Sequence, residues 1–210
     1  MTSYLTIARD AQAEIEVRRS RFLCTLARVE TEEAARAVVA GLRSEHHDAR
    51  HHCSAFVLGP GGAVERSSDD GEPSGTAGAP MLEVLRGQGV SDVVAVVTRW
   101  FGGTLLGAGG LVRAYGDAVR AGLEVAGTLR RDLVRELALE VGHADAGRVE
   151  SELRSRGFVV LDATYGATVS LLLGAPPDDV ERLHAAVAEL TSGAGLAEPV
   201  GDRWVDSMGV

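Results

Sequence analysis

The run Val93-Val94-Ala95-Val96-Val97 leads through Arg99-Trp100-Phe101-Gly102-Gly103-Thr104-Leu105-Leu106-Gly107-Ala108-Gly109-Gly110 into a helical pattern that opens Leu111-Val112-Arg113-Ala114-Tyr115. A buried strand thus hands the chain to a helix N-terminus through a turn almost free of side chains. In that arrangement backbone N–H groups can gather around an anion. Leu111, Tyr115, Val119, Leu123 and Ala126 mark one helix face; Arg113, Asp117, Arg120 and Glu124 mark another. On this reading Arg113 lies in the first turn, where a cation is unfavourable beside the helix dipole unless a bound anion or the acidic loop upstream offsets it. Glycines at such density also serve tight turns and close backbone packing, with no ligand involved.

Upstream, Tyr4–Ala8, Ala13–Val17 and Phe22–Val29 alternate or run apolar over strand lengths. Thr31 is placed to cap a helix that carries Ala35, Val38, Val39 and Leu42 and ends near Glu45. His46-His47-Asp48-Ala49-Arg50-His51-His52-Cys53 then precedes the strand Ala55–Leu58. Adjacent histidines in a strand point to opposite faces, so the cluster lacks a fixed ligand geometry and no metal site is expected. His51 is the imidazole singled out as an acid/base candidate.

A hairpin at Gly59-Pro60-Gly61-Gly62 leads to a long loop, Ser67 to Pro80, and Pro80 is well placed in the first turn of the next helix. Long ordered loops in compact domains are usually functional. Asp69, Asp70 and Glu72 crowd three carboxylates together, which suits a divalent cation or a general base. Equally, they suit a solvated loop whose acids cap its own turns, and composition favours that.

After a charged joint at Arg130-Arg131-Asp132 a second pattern begins. Strand Leu133–Val141, helix Ala144–Arg156, strands Phe158–Ala163 and Ala167–Leu173, a helix through Val180 to Leu190 and a strand near Ala197–Val205 give the order βαββαβ. That order is the split, ferredoxin-like arrangement. The expected class is α+β in two domains, residues 1–129 and 133–206. The second offers no clustered nucleophile, base or metal ligands and reads as a docking or packing module.

Charge and cysteine usage narrow the classes further. All 21 basic residues are arginine, which removes lysine chemistries, and the net charge of −9 argues against general DNA binding. Two cysteines without CxxC spacing suggest neither a disulfide nor a zinc site. With no basic leader and no apolar run of spanning length, the expectation is a cytoplasmic protein without a membrane partner.

Three stretches together resemble the YigZ/IMPACT family: Ala49 to Ala55, Ser68 to Leu82, and Val96 to Gly103 continuing through Gly110 to Gly116. The resemblance implies that the first domain has the fold of the second domain of the fifth small-subunit ribosomal protein, shared with domain IV of elongation factor G and the GHMP kinases. It also implies that the second domain is that of the bacterial members. Against the family pattern, Ala79 stands for a usual Arg or Lys, Trp100 for a usual Tyr or Phe, and Ala108 for a frequent Thr. By this resemblance the chain is a translation-associated regulatory or accessory factor that binds a protein, ribosome or RNA partner, and no cofactor is implied. The alternative is an enzyme acting on a small phosphorylated or anionic substrate. Candidate acid/base residues are His51, Asp70 and Glu72. Candidate ligand-binding residues are Ser74, Thr76, Arg99, Gly102, Gly103, Gly107, Gly109, Gly110, Arg113 and Tyr115.

Overall fold

The computed structural model describes residues 1–207. The chain divides into two units, Ser3–Arg130 and Arg131 onward. In the first, β1 (Ser3–Ile7) is followed by β2 (Ala11–Val17), β3 (Ser20–Arg28), α1 (Glu32–Glu45), β4 (His51–Leu58), β5 (Val64–Ser68), α2 (Gly78–Gln88), β6 (Val93–Trp100) and α3 (Ala108–Ala126). The main sheet runs β2-β3-β6-β4-β5 with every neighbouring pair antiparallel.

The unbroken apolar run of β6 has a simple cause: both faces of the strand are covered. Val93, Ala95 and Val97 join Phe22, Cys24, Leu26, Cys53, Ala55 and Val57 in a core closed by α2 and α3. Val94 and Val96 point the other way, into a second core with Phe56, Leu58 and the α1 residues Ala35 and Leu42. A strand at the centre of two layers loses the polar alternation of a half-exposed one. Thr31 accepts the N–H of Ala34 at 3.1 Å and caps α1.

In one respect the sequence expectation is corrected. The last helix of this unit begins at Ala108, not after the glycines, so Gly109 and Gly110 form its first turn and Arg113 lies beyond it. Glycine's poor helix propensity is overridden by burial of Leu111, Ala114, Tyr115, Ala118 and Val119 along the same helix.

The second unit comprises β7 (Thr128–Val141), α4 (His143–Ser155), β8 (Val159–Tyr165), β9 (Val169–Ala175), a 3-10 turn at Pro177–Asp179, α5 (Val180–Leu190) and β10 (Ala197–Asp206). Its strands lie in the order β10-β7-β9-β8, the spatial order of a ferredoxin-like βαββαβ fold, and each pair is antiparallel. Leu137, Leu139, Leu171 and Leu173 are buried in one core with Val149, Leu153, Leu183 and Val187 of the two helices. The fold is therefore α+β throughout.

Candidate functional site

Antiparallel register sets up the site. Phe22 of β3 lies opposite Arg99 of β6, and Arg99 lies opposite His51 of β4. The three side chains thus form a row on the face that α2 and α3 cover, at the end where the strands leave the core. One step deeper the row is Cys24, Val97 and Cys53.

Arg99 is almost fully buried, and a guanidinium in that position needs a counter-charge. Glu72 supplies it: Arg99 Nη1 donates to Glu72 Oε1 at 2.5 Å, and both side chains are below a tenth exposed. The same Oε1 accepts the Tyr115 hydroxyl at 2.7 Å. Burial, then the neighbouring Cys53 and Glu72, push the Tyr115 phenol well above its usual range, so it remains a donor. Burial likewise pushes the Cys53 thiol up to about 12, and its sulfur lies 3.0 Å from the Asp69 carbonyl oxygen and 3.3 Å from the Tyr115 hydroxyl. One carboxylate therefore joins three segments: the loop after β5, the end of β6 and the second turn of α3.

The other two carboxylates of the loop are used internally. Asp69 accepts the backbone N–H groups of Gly75, Ala77 and Gly78 at 2.8, 3.0 and 2.8 Å. It thereby organises the turn and caps the start of α2. Burial works to raise its pKa, but these three N–H bonds outweigh that and hold it below the usual carboxylate range. Asp70, with φ of 43°, accepts from Arg43 at 2.6 Å and from the His52 N–H at 2.7 Å, which fastens the loop to α1 and β4. Its backbone carbonyl oxygen lies 2.9 Å from His51 Nδ1. A carbonyl only accepts, so Nδ1 carries the proton and Nε2 of the neutral ring keeps the basic lone pair.

A cavity of about 400 Å³ opens beside this cluster. Arg50, His51, Glu72, Pro73 and Arg99 form its polar side; Phe101, Leu105, Leu106 and the start of α3 form the rest. Leu105 is 82% exposed and Phe101 46%, so the rim is apolar. The glycines of the turn differ in purpose. A Cβ on Gly102 would lie 2.0 Å from the Arg19 carbonyl carbon, so that glycine admits the β2–β3 turn. Gly103 and Gly107 take φ of 85° and 71°. Gly109 has neither constraint: its φ is ordinary and nothing lies within 4 Å of an added Cβ.

Of the residues singled out in the sequence, His51, Glu72, Arg99 and Gly107 meet at this cavity, with Tyr115 buried beneath it. Gly102, Gly103, Gly109 and Gly110 belong to the turn and helix start beside the cavity but do not line it. Asp70 sits behind His51. Thr76 is spent on the Pro73 carbonyl at 2.6 Å, and Ser74 is exposed on the loop. Arg113 lines a different groove, between α2 and α3, with Ala79, Pro80 and Arg120. Among the described residues no group of three or more His, Cys, Asp and Glu side chains is arranged to hold a metal ion.

The segments that build this site are those a known family shares. Residues 18–123 match the family described as Impact N-terminal domain, and residues 139–194 match a domain of unknown function, DUF1949. IMPACT family member YvyE of Bacillus subtilis is 40% identical over 91% of this chain and 88% of its own. The chain belongs to the IMPACT family. A second relative, IMPACT family member YigZ of Escherichia coli, is 40% identical over 92% of this chain and 96% of its own. A Protein IMPACT homolog of Saccharomyces cerevisiae is 36% identical over 46% of this chain and 39% of its own. A crystal structure described as that of a hypothetical protein superposes with a TM-score of 0.70 at 38% identity, covering 96% of this chain and 98% of that one.

Among the lining residues outside the candidate set are Arg50, Phe101, Leu105 and Leu106. The signal for three of them is present all the same. Large apolar side chains in a glycine-rich turn either reach the core, as Leu106 does, or stay exposed, as Phe101 and Leu105 do. Arg50 carries no such mark.

Proposed function

We propose that this IMPACT family chain is an accessory or regulatory factor of translation that acts by binding, and that its binding surface is the wall built from residues 69–80 and 99–115. The observation that carries this reading is the buried cluster of Glu72, Arg99 and Tyr115, which fastens the two segments to each other. Beside it, Phe101 and Leu105 stand exposed on the rim. A fixed polar floor under an exposed apolar lip supplies both parts of a binding hot spot: a preorganised frame and side chains that gain by leaving water. The fold that the family resemblance implies for the first domain, that of the second domain of the fifth small-subunit ribosomal protein and of domain IV of elongation factor G, supports the translation apparatus as the partner. No helix among the described residues is long and apolar enough to cross a membrane.

Sedimentation of cell extract through a low-salt sucrose gradient tests the reading. The chain is expected to travel with ribosomal particles, and Leu105→Asp, at an exposed position, is expected to release it to the top. Wild-type protein that stays at the top with and without stress would overturn it.

A further inference from the structure

We propose that the cavity beside Glu72 and Arg99 is a binding site for a small uncharged phenol, with the hydroxyl on its polar floor and the ring against Phe101 and Leu105. The proposal concerns the inside of the cavity and does not rest on the translation reading.

The floor consists of what the buried network leaves unspent. Glu72 uses Oε1 for both Arg99 and the Tyr115 hydroxyl, and its Oε2 has no partner among the described residues. His51 is oriented by the bond from Nδ1 to the Asp70 carbonyl oxygen at 2.9 Å, so Nε2 is an acceptor, and it too has no partner there. Arg99 places Nη1 on Glu72 and its Nε is shut away from solvent, which leaves Nη2 as its spare donor. Glu72, His51 and Arg99 all border the cavity. Together they offer two acceptors and one donor. A hydroxyl matches that set, because it donates one hydrogen bond and accepts others.

Charge separates a hydroxyl from its competitors. A carboxylate or phosphate would set its oxygens against Glu72 Oε2 and the His51 lone pair, with one guanidinium nitrogen to meet them. An ammonium would bring a further positive charge to a place where Arg99 already balances Glu72 and Arg50 stands exposed at the edge. An uncharged hydroxyl meets neither opposition.

The kind of hydroxyl follows from two further features. Tyr115 shows that this carboxylate takes a phenol, since its hydroxyl donates to Glu72 at 2.7 Å. A second phenol on Oε2 would repeat that charge-assisted bond from the cavity side. The remaining wall is apolar, formed by Pro73, Phe101, Leu105, Leu106 and Leu111, and about 400 Å³ is ample for a single ring. Phe101, 46% exposed, offers that ring an aromatic face or edge to pack on.

Amide-resolved NMR titration of the full chain tests the proposal. The probes are p-cresol, its isomer anisole, which has the same atoms but no O–H, and the charged pair benzoate and benzylammonium. The cresol is expected to shift the His51, Phe101 and Leu106 amides saturably. It should bind at least about fivefold tighter than anisole, the share of one hydrogen bond to a charged group. Both charged probes should bind more weakly than p-cresol. Ala108→Trp, at an exposed position on the wall, should fill the cavity and weaken p-cresol about tenfold or more while the amides of the second unit stay in place. No saturable shift up to about 10 mM p-cresol, or unchanged affinity in a folded Ala108→Trp protein, would overturn the site. Anisole binding as tightly as p-cresol would overturn the role of the hydroxyl, and tighter binding of either charged probe would overturn the uncharged class.

Discussion

At the scale of single residues, burial decides what each ionisable group does. Glu72 and Arg99 are a buried pair, and removing one partner strands the other's charge at a cost of about 3–5 kcal/mol. Glu72→Gln keeps the shape and the hydrogen bond from Tyr115 but removes the charge. It should lower the free energy of unfolding obtained from urea titration by that amount, and an unchanged value would mean that Arg99 reaches solvent. His52 makes a second case. It is 3% exposed with Nε2 unpartnered, and burial lowers its pKa below the ordinary 6.5, with Asp70 opposing the shift. The folded imidazole therefore stays neutral at pH values where the unfolded one has taken a proton. Between about 6.5 and the lower folded value the unfolded chain binds more protons, so stability rises with pH and is lost on acidification. Denaturant unfolding at steps of pH from about 7 to 5 should show this loss, and His52→Asn should flatten it. A wild-type slope of opposite sign over that window would contradict a buried neutral histidine.

At the scale of elements, the glycine turn separates into positions the backbone demands and one it does not. Gly102→Ala drives a methyl group into the Arg19 carbonyl and should cost about 3 kcal/mol or more, because both partners are backbone. Gly109→Ala meets nothing and removes chain entropy from the unfolded state, so it should be neutral or stabilise by up to about 1 kcal/mol. Thermal unfolding of the two variants measures both, and equal destabilisation would contradict the assignment of roles.

The same turn shows what was legible beforehand. Periodicity placed β6, α3 and the βαββαβ order, because burial on a strand or helix face writes itself into spacing. It misplaced the start of α3, since propensity excludes Gly109 and Gly110 while tertiary burial of Leu111 and Tyr115 includes them. Nor could spacing show that Asp69 caps α2 and Asp70 ties down β4 while Glu72, three residues along the same acidic loop, pairs with Arg99. Those roles depend on loop path and strand register. Arg113 illustrates the same limit: nearness in sequence to the turn puts it on α3 but not at the cavity.

At the scale of the whole molecule, the glycines and acids of residues 69–80 and 99–115 become a frame for contact. The core of the N-terminal unit holds β6 rigid on both faces, and β6 in turn positions Arg99 at the edge of the core where the turn begins. What lies outside this frame, Phe101 and Leu105, is what a partner would meet. A photoreactive benzophenone amino acid in place of Leu105 reads that contact directly in cells, with the same group at Val159 of the second unit, which is 51% exposed, as the comparison. Crosslinks from position 105 to components of the translation apparatus, and few from position 159, are the expected result. No crosslinks from 105 to that apparatus, or the same products from both positions, would contradict a binding surface on the glycine turn.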